Sequence, residues 1–282
     1  MKKLFVQSGK ALGYFGIYIA GQLAGGVAAA VLSLIQLMTS PDNTKDQMTR
    51  YQELINYNLG YGLLIAAVIT LAVYVIIFAA RKKKITEELD IRKISVKEVV
   101  ITIIGGIGTI CFMDFITDIL PLPESLMEEF TSGNESLAQF PLWVSISTTA
   151  LLVPILEEVV FRGLIYSRLG KAMPAVVAAV LSSVVFGLMH EGLLWAVWAG
   201  IVGLIICVAR VKTGSIIPGI IIHVMVNGFA VICDNVDILG DITKTKGTVI
   251  TLTGAVLLAL YTILMCVNKT PKAEVTVATV DE

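Results

Sequence analysis

The sequence is poor in charge, in histidine and in paired cysteine. Charged residues make up 15% of the 282 residues and hydrophobic residues 56%, and the mean hydropathy is +0.84. A soluble domain with that balance would aggregate, so the composition indicates an integral membrane protein. The formal net charge of −1 gives no indication of a nucleic-acid partner, and none is expected.

The common signatures of disulfide scaffolds and of soluble hydrolases are also missing. Each cysteine stands alone, and no CxxC pair occurs, so we interpret the cysteines as small packing residues. No serine or cysteine nucleophile motif and no HExxH motif are found. Gly21 and Gly25 form a GxxxG pattern, which we assign to ordinary packing between helices of one chain.

Long apolar runs, by contrast, recur along the whole chain. They are bounded by charged residues, proline or glycine, and most approach the roughly 20 residues that a bilayer-crossing helix needs. Because such helices satisfy their own backbone hydrogen bonds, we expect one all-α, polytopic membrane bundle of about eight transmembrane helices. The predicted spans are 11–38, 59–80, 96–120, 142–170, 174–193, 195–210, 215–233 and 247–267.

The spans suggest a division of the chain. Residues 1–95 would form two membrane helices and a cytoplasmic loop, residues 96–267 the functional core, and residues 268–282 a cytoplasmic tail. The first span follows the basic start Met1-Lys2-Lys3. Its apolar part is far longer than that of a signal peptide, so we interpret it as a retained anchor.

Lysine and arginine are distributed unevenly between the two predicted sides. One side, which includes the run Arg81-Lys82-Lys83-Lys84, holds 17 of the 21 basic residues. Cytoplasmic segments of membrane proteins retain positive charge, so both termini are predicted to be cytoplasmic. The segment 121–141 has glutamates and no basic residue, and we interpret it as a loop on the outside.

Three charges interrupt the span at 142–170. Charges inside a span are costly and usually face the bundle interior or a water-filled cavity. Glu158 and Arg162 are four residues apart on one helix face, so we expect a supporting ion pair. Glu157 lies about 140° around the helix from Arg162 and remains free, so we interpret it as the reactive carboxylate. Pro154 is expected to kink the helix nearby.

The two histidines, His190 and His223, both fall within predicted spans. Along their helices, Glu157 lies about 21 Å from Lys171, His190 about 24 Å from Pro174 and His223 about 17 Å from Lys212, all counted from the same side of the membrane. Asn227 is four residues after His223 and shares its helix face. Similar depths in an apolar core about 30 Å thick predict one shared site.

These residue types suit the hydrolysis of a peptide bond. A buried glutamate can act as general base on water, a histidine can share the proton, and neutral donors can stabilise an oxyanion. A zinc site is the competing interpretation, because Glu157, His190 and His223 would make a catalytic ligand set with an open position for water.

Three motifs carry a resemblance to a known family: Glu157-Glu158-Val-Val-Phe-Arg162, then Phe186-Gly-Leu-Met-His190, then His223-Val-Met-Val-Asn227. Their order and separation, within residues 140–230, resemble the CPBP family of intramembrane proteases, also called Abi proteins, which includes type II CAAX prenyl endopeptidases. The resemblance implies that Glu157 and His190 activate water and that His223 and Asn227 form an oxyanion hole. It also implies a helical membrane fold and a glutamate-type mechanism without metal.

The resemblance leaves the substrate open. Eukaryotic members cleave prenylated proteins, whereas the bacterial branch is associated with peptide maturation, self-immunity and regulation of sensor kinases. Low charge and small size resemble the bacterial branch, so a bacterial cell membrane is expected. An endopeptidase acting on a membrane-associated peptide or protein, with membrane lipid as its surroundings, is the first hypothesis. A non-catalytic immunity or regulatory scaffold that binds a peptide or a sensor kinase is the alternative, and a proton-coupled transporter is a third.

The remaining polar and aromatic residues of the spans receive structural interpretations. Asp114 and Asp118 are read as an interfacial polar face. Glu191 either orients His190 or marks a loop. The three tryptophans are expected to be interface or packing aromatics rather than a substrate platform; they are Trp143, Trp195 and Trp198.

Overall fold

The computed structural model describes residues 1–40, 46–117, 119–236 and 242–268, without the side chains of 134–136. The predictions for Asp118 and for the tail beyond Asn268 lie outside these residues. Every regular element in the described part is a helix. The helices are α1 (Lys2–Thr39), α2 (Gln47–Ala80), α3 (Ile85–Glu88), α4 (Val96–Ile116), α5 (Glu124–Ala138), α6 (Leu142–Leu169), α7 (Ala175–Gly187), α8 (Leu193–Thr213), α9 (Ile217–Asn235) and α10 (Lys244–Val267).

The predicted polytopic helical membrane fold is confirmed. Seven helices of the described residues are long and apolar enough to cross a membrane, namely α1, α2, α4, α6, α8, α9 and α10. The predicted span 174–193 is instead the short helix α7, whose 13 residues reach only about 20 Å. The predicted loop at 121–141 is also wrong in part, because Glu124–Ala138 is helical.

The first two helices form a closely packed hairpin. A Cβ added to Gly25 would stand 2.4 Å from the carbonyl oxygen of Gly62, so only glycine allows this approach. The Tyr74 hydroxyl donates to the Tyr14 carbonyl at 2.8 Å and ties the helices further along. The GxxxG pattern that contains Gly25 therefore serves packing within the chain, as expected.

Helix α6 is the central element. In its most apolar stretch 61% of the residues are buried, against 22–44% for the other spans, so the other helices surround it. Its backbone is π-helical at Ile146–Leu152 and Glu158–Ile165, on either side of Pro154. Single π turns within α-helices are frequent at functional sites, and Glu157 lies where the second one begins.

One end of the bundle gathers the basic segments. Arg168 at the end of α6 pairs with Glu88 of α3, and Arg210 of α8 pairs with Asp90. The Ser215 hydroxyl donates to the carbonyl oxygen of Arg92 at 2.9 Å. We call residues 88–92, together with the side chains of Arg168, Arg210 and Ser215 that contact them, the basic end. Three segments counted on the positively charged side thus share one end.

Candidate active site

A cavity of about 640 Å³ lies between the helices. Its walls come from α1, α2, α4, α5, α6, α8 and α9, and from the end of α7 and the turn after it. The four predicted site residues all line it: Glu157, His190, His223 and Asn227. Three distant parts of the chain therefore meet around one space.

Glu157 extends from α6 into this cavity and is almost completely buried, with 6% of its surface exposed. Its Oε2 lies 3.6 Å from Nε2 of His223, which is too long for a hydrogen bond but close enough for charge interaction. Its Oε1 accepts a hydrogen bond from the hydroxyl of Tyr18, on α1, at 3.3 Å. The carboxylate was predicted to be free of Arg162, and its contacts are with Tyr18 and His223.

Glu158 and Arg162 form the expected ion pair in full burial. Nη1 of Arg162 lies 2.8 Å from Oε1 of Glu158, and both side chains are 0% exposed. The same Oε1 lies 3.0 Å from Nδ1 of His223, a contact that the sequence did not predict. Because a carboxylate in an ion pair accepts hydrogen bonds, Nδ1 of His223 carries the hydrogen. The ion pair therefore orients His223 as well as neutralising Glu158.

Glycine makes room for this pair. A Cβ at Gly219 would stand 2.6 Å from Oε2 of Glu158, and one at Gly203 would stand 2.8 Å from Nη2 of Arg162. The Arg162 guanidinium also lies 4.5 Å from the ring centre of Phe186, within the range of a cation–π contact.

His190 reaches the cavity from a turn rather than from a helix. Helix α7 ends at Gly187, so the expectation that His190 lies on a helix through 174–193 is wrong. Its Nδ1 lies 3.1 Å from the carbonyl oxygen of Phe186, which can only accept. The hydrogen is therefore on Nδ1, which leaves Nε2 for a group in the cavity. Glu191 is exposed and does not provide this contact.

Asn227 lies one helical turn after His223 on α9, as predicted. Its Nδ2 donates one hydrogen bond to the carbonyl oxygen of Thr149, on α6, at 3.0 Å. An amide nitrogen carries two hydrogens, so the second remains for a group in the cavity. Thr149 lies in the first π-helical segment of α6, which therefore helps to hold the amide in place.

The cavity also contains groups whose placement the sequence did not predict. Asp114 was read as part of an interfacial face, but it lines the cavity, as does Asp234 of α9. Trp195 and Trp198 line it too, and both pack on Phe130 of α5, with ring centres 4.7 and 5.8 Å apart. The two tryptophans are packing aromatics, as expected, and they also form a wall of the cavity.

The zinc interpretation requires three ligating side chains close enough to share one ion. Over the described ranges, no three histidine, cysteine, aspartate or glutamate side chains are arranged to hold one metal ion. Glu158 engages Nδ1 of His223, and the carbonyl oxygen of Phe186 engages Nδ1 of His190, so Nε2 is the remaining nitrogen of each ring. We derive no step through a metal.

The fold and the cavity define a class: a multi-pass helical membrane protein with a buried glutamate, two histidines and an asparagine around one internal space. Residues 139–229 match the family model described as Rce1-like, type II CAAX prenyl endopeptidase. This segment contains the three motifs and all four predicted site residues, so the resemblance drawn from them is confirmed.

A curated relative agrees with this match. "Putative membrane peptidase YdiL" of Bacillus subtilis (strain 168) is 33% identical over 92 residues. These residues are 33% of this chain and 37% of the relative, so the similarity spans little more than a third of that protein. No solved structure matches the chain.

Proposed function

We propose that the protein is an intramembrane endopeptidase that hydrolyses a peptide bond in a membrane-associated peptide or protein. The observation that carries the proposal is the meeting of Glu157, His190, His223 and Asn227 around one cavity of about 640 Å³. That volume suits several residues of a peptide, since ligand pockets commonly measure about 300–1,000 Å³. The name of the Bacillus subtilis relative, which includes the words membrane peptidase, agrees.

The first step is the attack of water on the scissile carbonyl carbon. Glu157 takes a proton from the water through Oε2, while Nε2 of His190 accepts the water's other hydrogen as a hydrogen bond and orients it. The water oxygen bonds to the carbonyl carbon, and the π electrons move to the carbonyl oxygen. Glu157 then returns its proton to the leaving nitrogen as the carbon–nitrogen bond breaks.

The oxyanion that forms needs donors. Asn227 offers the second hydrogen of its amide, because the first is bound to Thr149. His223 can donate from Nε2 only when the ring is protonated, because Nδ1 already donates to Glu158. We therefore infer an oxyanion hole formed by the Asn227 amide and a His223 imidazolium.

The test is cleavage of a peptide library by the purified protein in lipid vesicles. Wild type is expected to cut a subset of peptides, and Glu157→Ala and His190→Ala are expected to cut none while remaining folded. The exposed Glu128→Gln, on α5, is a matched control and should cut like wild type. Binding without cleavage by wild type would contradict the proposal and favour a scaffold.

A chelator arm examines the metal question in the same assay. Because the mechanism uses no metal, cleavage is expected to persist after prolonged chelation and dialysis. Loss of cleavage that returns with added zinc would overturn the glutamate-type mechanism while leaving the protease itself intact.

We also propose a bacterial cell membrane with both termini in the cytoplasm. The clustering of the basic segments at one end supports this orientation. A reporter that is active only in the cytoplasm should be active when it is fused at Asn268. The same reporter should be inactive when it is inserted between α1 and α2, because that connection is expected to lie outside. The reverse pattern would refute the orientation.

A further inference from the structure

Helix α1 contributes a polar group to the catalytic carboxylate. The Tyr18 hydroxyl donates to Oε1 of Glu157 at 3.3 Å, and the two residues are 139 positions apart in the chain. Over the part of the chain that the structure describes, no other side chain donates a hydrogen bond to this carboxylate. The segment that matches the family model begins at 139, so this contact comes from outside it.

Packing of the aromatic ring holds the Tyr18 hydroxyl in place. Tyr18 is 3% exposed, and its ring packs edge-on against Phe161 of α6 with centres 5.5 Å apart. The ring of Phe15, one turn earlier on α1, stacks on it at 6.3 Å. Because Phe161 lies one turn after Glu157 on α6, the contact between α1 and α6 itself sets where the hydroxyl points.

The contact also distinguishes the two oxygens of Glu157. Oε1 faces Tyr18, whereas Oε2 faces Nε2 of His223. A carboxylate without a partner turns readily about its last bond, and that motion would exchange the oxygens. A donor on one oxygen opposes the exchange and leaves the other oxygen available for a proton.

We propose that Tyr18 is a positioning residue for the hydrolysis, which locks the Glu157 carboxylate with Oε2 toward the attacking water. This inference rests on the proposed endopeptidase function. The separation of 3.3 Å is longer than the usual O–H···O distance, but catalytic hydrogen bonds are often long before substrate binds. Helix α1 then completes the active site and does more than anchor the chain.

The experiment compares two substitutions that each remove one buried tyrosine hydroxyl. Tyr18→Phe keeps the ring and loses the hydrogen bond to Glu157. Tyr74→Phe also keeps the ring and loses a hydrogen bond between helices, the one to the Tyr14 carbonyl, but it does not line the cavity. Both variants are purified into lipid vesicles, and kcat, KM, the pH–rate profile and the melting temperature are measured on a peptide that wild type cleaves.

Tyr18→Phe is expected to lower kcat about tenfold, which corresponds to about 1.4 kcal/mol in the barrier, with KM changed less than about twofold. Its pH–rate profile should differ from that of wild type, because the hydroxyl that is lost contacts the proposed base. Tyr74→Phe should keep the wild-type kcat and profile even if it melts earlier.

An unchanged kcat and an unchanged pH–rate profile in Tyr18→Phe, with wild type active, would overturn the positioning role without contradicting the proposed protease function. A loss of kcat that Tyr74→Phe shares to the same extent would also overturn it, because general loosening of the helices would then explain the effect. A wild type that cleaves no peptide removes the proposed function and this inference together.

Discussion

The charges of α6 and those of the basic end are similar in chemistry but differ in burial. Both use arginine–carboxylate pairs to join helices, but Glu158 and Arg162 are 0% exposed, whereas Glu88 and Arg168 keep 16% and 11% of their side-chain surface. Water reaches the second pair and screens it, while the first depends entirely on its partners. The deep pair also holds His223, so we expect substitutions there to affect both stability and activity.

The largest effect should come from Glu157. Glu157→Gln keeps the shape of the side chain and an oxygen for Tyr18, but it removes the base. We expect kcat to fall about a thousandfold, near 4 kcal/mol, with little change in melting temperature, because general bases contribute about 10²–10⁴-fold. Single-turnover cleavage measures this. A residual rate within tenfold of wild type would rule out Glu157 as the base.

The deep ion pair should give the next largest effect, on stability. Arg162→Met leaves Glu158 buried without its cation, and breaking such a pair costs about 3 kcal/mol or more. Unfolding in mixed detergent would show the loss as a lower midpoint.

A double substitution separates stability from orientation in the deep pair. Glu158→Gln with Arg162→Met removes both charges, so most of the lost stability should return. Activity should stay low, because His223 no longer faces a carboxylate at Nδ1. Recovery of activity together with stability would mean that the pair serves the fold alone.

The basic end should respond less. Arg168→Ala breaks the pair with Glu88 and a contact over the Tyr14 ring, and both partners of the pair are partly exposed. We expect a loss of about 1 kcal/mol that shrinks at high salt, with kcat unchanged. A loss of stability as large as that caused by Arg162→Met would show that burial does not explain the difference between the two ion pairs.

The smallest effect should be at the exposed margin of the same end. Lys84 pairs with Glu87 at 3.0 Å, but the side chains are 78% and 69% exposed. Exposed pairs of this kind contribute little, so Lys84→Ala should leave the melting temperature and kcat unchanged. A measurable decrease in either would indicate that this segment contributes more than a solvated ion pair.

The local pattern predicted much of α6 and α9. The span at 142–170 differs from the observed helix by one residue, and the spacing of four between Glu158 and Arg162 was enough to predict their pair. Asn227 and His223 share a face for the same reason. Such relations depend only on helical periodicity, which is a property of neighbouring residues.

Other features could not be read from spacing. The apolar run through His190 continues past the end of α7, because hydropathy reports preference for lipid and not where the backbone leaves the helix. Glu124–Ala138 has little apolar character on average, so it read as a loop, yet Phe130 packs on the tryptophans of α8. Asp114 looked like an interface residue because nothing nearby in sequence indicates the cavity it lines.

The sequence by itself determined that the chain is a helical membrane protein, and it predicted that a glutamate, two histidines and an asparagine within the spans share one site. Composition and periodicity are properties of neighbouring residues. In lipid, each spanning segment must satisfy its own backbone hydrogen bonds, so a long apolar run has to form a helix. Only the tertiary structure decided which oxygen of Glu157 faces His223, which helix supplies Tyr18, and that Glu158 orients His223. Those relations join residues up to 139 positions apart, and they depend on how whole helices pack, which no short stretch encodes.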